Sequence, residues 1–587
     1  MAFRNIISRG PSANDTYTIL NDLDSTTDVE SLHDIDNTAQ TSEQSRLISP
    51  ETDVDPPSIL EKDASAATSD SRWGSARLRS TLMLFVPAYI SWPISVFTKN
   101  PDDAAAPPQR QGPTAYLDGL RGVAALVVYF NHGGYPWFYR LKFGYGATEE
   151  DTLFLQLPIV RAMHSGRASI AIFFVISGFV LSYKALIQMH QGKRHLVLNT
   201  LAGTTFRRPF RLFMPIAAST AVTALFVNLG LYYNFIPYKP SKTLPQITTR
   251  KPPGSGTIFE QYRHWFLITV EFVDSARRLG TTGFKSNHAT SYNPALWTIP
   301  HEFRGSLFVL LLLLMFACAR RWVNAVISTG LTIYLAFHGE STLFLFSTGM
   351  LLAELSIVLQ PAPSPPVSLD HPQRADRAGS VRRSVGTAVQ HACTILLALV
   401  ALCFLSFPEN DGHKTAGYMA LTNITPRGYG DGQVFWRCVG AVLFVTALIF
   451  SPPARLFRSL PWHQTPATHS AEPLLQQFFT TRFAQYLGRI SYSLYLCHIP
   501  TFHIVGCHIM NPAMLAWKQA VMDAEALEPA AGAELLAMAS TAYNISFFWA
   551  VLINSLVLFW VSDVFTKLVD EQVVRFLRWL TIRRTEP

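Results

Sequence analysis

Ten stretches of the chain are apolar for long enough to cross a hydrocarbon core of ~30 Å. They lie near residues 116–132, 168–189, 208–230, 296–318, 322–338, 341–360, 388–407, 434–451, 485–509 and 547–569. In a bilayer no water satisfies an open N–H or C=O, so such segments are driven into helices that close their backbone bonds internally. The expected fold is all-α: a polytopic integral membrane protein with about ten core transmembrane helices. Composition agrees. Charged residues make up 15% of the 587, against roughly 25% in soluble domains.

The connections orient these spans. Lys193, Arg194, Arg207 and Arg208 fall between the second and third, and Arg320 and Arg321 between the fourth and fifth. Arg374, Arg377, Arg382 and Arg383 follow the sixth, Arg455 and Arg458 the eighth, and Arg575, Arg578, Arg583 and Arg584 the tenth. Every second connection is thus basic, which places it, with both termini, in the cytosol. Connection 510–546 sets four acids against Lys518 and falls on the other side, as do the sequons at Asn423 and Asn544.

Residues 1–75 are polar, with fourteen acids against four basic residues in the first 70, and read as a disordered cytosolic tail. They hold no cleavable signal peptide. Residues 76–111, with Pro87 and Pro93 inside the apolar run 80–97, read as an interfacial or re-entrant element and linker. The membrane domain is expected over 112–570 and a basic cytosolic tail over 571–587. The net charge of +8 is spread over membrane-flanking loops, a pattern that suits lipid and not nucleic acid. Six cysteines, none in a CxxC pair, sit in or beside apolar segments. They read as small buried hydrophobes, with neither a disulfide framework nor a metal site.

The first span, YLDGLRGVAALVVYFNH, opens with Asp118 and Arg121 and closes on His132. Eleven helical residues turn through ~1100° and rise ~16 Å, so Arg121 and His132 share one face. Asp118, three residues before Arg121, is placed to pair with it. These groups either cap the helix at headgroup level or mark a site or pathway. Imidazole alone among side chains has an unperturbed pKa, ~6.5, suited to proton transfer near neutrality.

Four later passages bear on that choice. IFFVISGFV at 172–180 carries Ser177-Gly178, a small pair that suits close helix packing. FRRPFRLFMP at 206–215 puts Arg208 and Arg211 at the expected start of the third span, where guanidinium forks beside free helix N–H groups would receive phosphates. A positive-inside anchor is the other reading. NPALWTIPHEFRGS at 293–306 brings Glu302, either in an ion pair or facing a site. LGRISYSLYLCHIP at 487–500 brings His498, which reads as a packed, hydrogen-bonded helix histidine.

Together, in this order, the five passages resemble the acyltransferase-3 family of integral membrane acyltransferases, and WTIPHEFRGS is similar to its fungal branch. The resemblance covers roughly 112–570 and implies ten core helices that move an acyl group, usually acetyl, from cytosolic acyl-CoA to a hydroxyl-bearing acceptor. It implies that His132 is catalytic, within an R-x10-H motif begun by Arg121. It assigns Arg208 and Arg211, with Arg207 beside them, to the coenzyme A side, and makes Glu302 the matching acid. Pro300-His301 stands where bacterial members commonly read Ser-Val. On this reading His132 either deprotonates an acceptor hydroxyl or carries the acetyl group. Arg121, oriented by Asp118, holds a phosphate or stabilises developing charge, and Glu302 orients or deprotonates His132 or the acceptor. Acetyl-CoA is a co-substrate, no cofactor is tightly bound, and no metal is required. A multi-helix transporter with a buried charged pathway is the alternative, and a catalytically silent scaffold a third. The membrane is that of the endoplasmic reticulum, the Golgi or the cell surface.

Overall fold

The computed structural model describes residues 112–235, 252, 254, 256–275, 290–359, 377–429, 432–454 and 472–582, with 275, 377–385 and 582 given by backbone alone. The acidic tail and the apolar run 80–97 lie outside the described residues.

Each of the ten apolar segments is a helix. They are α1 (Ala115–Gly134), α2 (Gly166–His190), α3 (Arg194–Asn228), α5 (Thr298–Phe316), α6 (Arg321–Phe337), α7 (Ser341–Leu359), α8 (Arg377–Leu405), α9 (Gly432–Ile449), α10 (Arg482–Thr501) and α12 (Pro529–Phe565). Seven of them, α2, α3, α5, α7, α8, α9 and α12, are long and apolar enough to cross a membrane by length and composition alone. α6 falls short at 17 residues. α1 and α10 give up hydropathy to the polar residues of the site below.

Three features depart from the sequence reading. α3 begins at Arg194, fourteen residues before Arg208, and both Pro209 and Pro215 lie inside it. A helix α4 (Ile258–Ser275), its apolar pattern broken by Glu260, Arg263, Glu271 and Asp274, packs antiparallel on α3. Its Tyr262 hydroxyl bonds the Ala221 carbonyl and its Trp265 indole bonds the Thr220 hydroxyl. Connection 510–546 is a helical hairpin and not a loop. α10 passes through a π-helical turn, Phe502–Gly506, into α11 (Cys507–Glu525), which returns along α12. A second π turn, Thr566–Asp570, leads from α12 into α13 (Glu571–Ile582).

α2 is the hub. It packs on α1, α3, α5, α7 and α9, and 78% of its apolar window is buried, against 22% for α8 and α12 at the periphery. Its crossing with α7 is set by Gly178 and Gly349. A Cβ on Gly178 would stand 2.2 Å from the Phe346 carbonyl oxygen, and one on Gly349 2.2 Å from that of Val175. The small residue at 178 therefore serves packing, as its sequence suggests. The cysteines are free: Cys438, Cys497 and Cys507 are buried as expected, Cys403 is half-buried, and Cys318 and Cys393 are exposed.

Candidate active site

The site is framed where α1 and α10 run side by side. Glycines remove the side chains that would hold α1 away from α10 and the segment leading into it: a Cβ on Gly119 would lie 1.8 Å from the carbonyl oxygen of Phe479, just before α10, and one on Gly122 2.3 Å from the Gly488 nitrogen. A Cβ on Gly488 would meet the Asp118 carbonyl oxygen at 2.6 Å. This backbone contact carries up both helices to two histidines. The rings of His132 and His498 lie 5.1 Å apart, inclined by 44°. His132 is half-buried, and its ring makes no hydrogen bond among the described residues.

His498 is fully buried, and its Nδ1 stands 2.7 Å from the Tyr495 carbonyl oxygen. A carbonyl only accepts, so Nδ1 carries the proton and Nε2 a lone pair. That Nε2 has no partner among the described residues. The sequence reading of His498 as a packed helix histidine is thus half right: one nitrogen is structural, and the other is left beside His132. Tyr495 is fixed in turn, its hydroxyl bonding Thr298 Oγ1 at 2.6 Å and the Ala295 carbonyl oxygen. Above the pair, Phe502 of the π turn stacks on Tyr129 at 4.9 Å and packs where a Gly133 side chain would sit. Trp137 meets Phe502 edge-on and extends this aromatic cover.

Three turns back along α1 the side chains are mostly cationic. Arg121 pairs with Asp118 at 3.8 Å, as the spacing suggested. Arg208 Nε donates to Ser306 Oγ at 2.9 Å, and its Nη2 donates to Glu302 Oε1 in an ion pair. Ser306 Oγ donates to the Glu302 carbonyl oxygen at 2.7 Å, closing a small network that the sequence did not announce. Arg211 lies within electrostatic reach of both Asp118 and Arg208. Arg207 turns towards Gly203 and Lys184 of α2, a buried lysine not singled out from the sequence.

Two expectations are corrected. Arg208 and Arg211 are not beside free helix N–H groups, because α3 starts fourteen residues earlier; any anion here is held by side chains alone. Glu302 is bound to Arg208, and no hydrogen bond or ion pair joins it to His132 among the described residues. The carboxylate within electrostatic reach of His132 is Glu409, in the connection after α8. Arg304 is no partner of Glu302 either; it pairs with Glu340 at 3.2 Å. No group of three or more potential metal ligands occurs among the described residues.

Comparison with known proteins follows the same residues. A family model described as an acyltransferase domain matches residues 114–567. The chain is 30% identical to the O-acetyltransferase PaAT-1 of Phomopsis amygdali over 414 residues, 69% of this chain and 75% of that protein. It is 23% identical to the acyltransferase clz18 of Cochliobolus lunatus over 66% of this chain and 82% of that one. It is 22% identical to the acyltransferase R4 of a Phoma species over 72% and 88%. No solved structure matches. A ten-helix bundle with a polar seam, matched by one family model across its whole membrane body, is a membrane acyltransferase, and the chain belongs to the acyltransferase-3 family.

Proposed function

We propose that this protein is an O-acyltransferase that moves an acyl group, acetyl in the simplest case, from acyl-CoA to a hydroxyl of a glycan, lipid or small metabolite. The observation that carries the reading is the His132–His498 pair, joined by one face of α1 to the arginines at its other end. In this reading the Arg121 end faces the cytosol. Arg207, Arg208 and Arg211, with Arg121 and Lys184, hold the coenzyme A phosphates, and the pantetheine arm follows α1 for the ~16 Å to His132.

At the far end His132 takes the proton of the acceptor hydroxyl as its oxygen bonds to the thioester carbonyl carbon. The tetrahedral intermediate then collapses with loss of the coenzyme A thiolate, which takes the proton back from His132. His498 orients the base: its Nε2 lone pair is a ready acceptor for the His132 ring N–H, which leaves the other His132 nitrogen for the hydroxyl. Glu302 and Ser306 act one step away by fixing Arg208. The O-acetyltransferase PaAT-1 supports acetyl as the group and oxygen as the acceptor atom.

The test uses microsomes given labelled acetyl-CoA, comparing wild type with His132→Ala at matched expression. Label entering lipid, glycan or metabolite fractions with stoichiometric CoA release, and lost in the variant, is the expected result. Equal labelling by the variant would remove His132 from the chemistry. A covalent acetyl-histidine would show as exchange of labelled CoA into acetyl-CoA without acceptor, and direct transfer as none.

A further inference from the structure

Beyond His132, four cations act on one carboxylate: Lys142 and Arg161 in the connection from α1 to α2, Arg167 in α2 and Arg437 in α9, with Glu409 in the connection from α8 to α9. Arg161 is 1% exposed and Arg437 2%. They converge on the Phe407 carbonyl oxygen, Arg161 through Nη1 at 3.0 Å and Arg437 through Nη2 at 2.6 Å. Arg161 also bonds the carbonyl oxygens of Leu141 and Lys142, and the Lys142 carbonyl receives the backbone N–H groups of Glu409 and Asn410. Arg161 therefore staples the two connections together and Arg437 ties α9 to the second of them, and that accounts for both guanidiniums.

Lys142 and Arg167 have no such work. The Lys142 ammonium is buried between ring faces, 5.8 Å from the Tyr135 centroid and 5.2 Å from that of Tyr139, with no hydrogen bond or ion pair of its own among the described residues. Arg167, in the first turn of α2, is exposed and likewise makes none. Both act electrostatically on Glu409, as do Arg161 and Arg437. Burial alone would raise the Glu409 carboxyl, yet these cations hold it below its ordinary range. One carboxylate set among four cations, none in a direct ion pair with it, leaves a net charge of about +3. Three of these cations, Lys142, Arg161 and Arg437, are buried and outnumber the one carboxylate by two; buried charge without a counter-ion is costly, so an anion reached by Lys142 and by the exposed Arg167 completes the arrangement. Glu409 and Lys142 both interact with His132, which ties the cluster to the candidate base. The coenzyme A phosphates have their own arginines at the opposite end of α1.

We propose that the cluster of Lys142, Arg161, Arg167 and Arg437 around Glu409 is the acceptor subsite, and that it takes a carboxylate or phosphate group borne by the same molecule whose hydroxyl reaches His132. The inference rests on the acyltransferase reading and names the chemical class of its acceptor. Lys142 and Arg167 make the contact; Arg161 and Arg437 hold the frame and add charge. Glu409 limits the charge carried by the empty site.

The probe is citrate, titrated at constant ionic strength into the full-length protein in nanodiscs, with tryptophan fluorescence and the thermal midpoint as readouts. Saturable binding is expected in wild type, weakened about tenfold by either Lys142→Met or Arg167→Gln. An unsaturable response, or wild-type affinity in either folded variant, overturns the subsite. Arg167 is exposed, so its variant keeps the test open if Lys142→Met misfolds. In microsomes citrate should inhibit acetyl transfer without changing the KM for acetyl-CoA. Competition against acetyl-CoA would assign the cations to the donor and overturn the proposal. Failure of the acyltransferase reading looks different: no CoA release in any extract, with citrate binding and its dependence on both residues intact.

Discussion

His132 and His498 are the same residue type at the same level of the bundle, yet their neighbours give them different chemistry. His498 spends Nδ1 on the Tyr495 carbonyl, whereas neither His132 nitrogen makes a hydrogen bond among the described residues. His498→Asn retains a donor for that carbonyl and loses the Nε2 lone pair, so it separates the two roles. It should lower kcat about 10²-fold with the acetyl-CoA KM and the thermal midpoint unchanged; an unchanged kcat would make His498 structural. The Arg208–Glu302 pair is tested through stability, because both side chains are largely shielded, 20% and 14% exposed. Glu302→Gln strands a guanidinium, and a loss of about 3 kcal/mol is expected in detergent unfolding, with part recovered in the double variant with Arg208→Met. The Asp118–Arg121 pair was legible because the two residues stand one turn apart on one helix. The partner of Glu302 was not, since nothing local to either motif says that residues 208 and 302 meet.

At the scale of elements, the helix pairs are set by glycines. Gly178→Ala would press a methyl group into the backbone of α7, which cannot turn aside as a side chain can. A loss of about 3 kcal/mol, at the upper end of overpacking costs, is expected. Gly330→Ala in α6 meets nothing within 4 Å and supplies the control of opposite sign, with a gain of about 0.5–1 kcal/mol. The connection between α1 and α2 adds a pH dependence. Burial pushes the His164 ring below its ordinary value, while its Nε2 donates to the Leu155 carbonyl at 2.9 Å and opposes the shift in part. Protonation therefore favours the unfolded chain. The stability lent by neutral His164 is complete above ~6.5 and is lost as pH falls from there through the lowered folded value. The thermal midpoint should fall between pH 7 and 5, and His164→Gln should flatten that slope. α4 and the π turn escaped the sequence because charges interrupt the apolar pattern of the first, and the second differs from its flanking helices only in backbone bonding.

For the whole molecule, orientation is the property most open to test. Asn423 is exposed at the end of a short helix, Met419–Asn423, in the connection before α9, at the Arg437 end of that helix. If the Arg121 end is cytosolic, this connection is luminal. Asn423→Gln, made in an Asn544→Gln background, should then abolish an endoglycosidase-sensitive mobility shift, and a glycosylated reporter at the N-terminus would reverse the assignment. The sequence by itself determined the class of fold, since a bilayer leaves an apolar segment no alternative to a helix. It also determined that Arg121 and His132 share a face, because helical periodicity is local. Which helices touch was decided only by the tertiary structure. The approach of α1 to α10 that sets His498 beside His132, the meeting of Arg208 with Glu302, and the gathering of Lys142, Arg167 and Arg437 around Glu409 all join residues far apart in the chain. Periodicity carries no information across such gaps; packing and the cost of unpaired buried charge do.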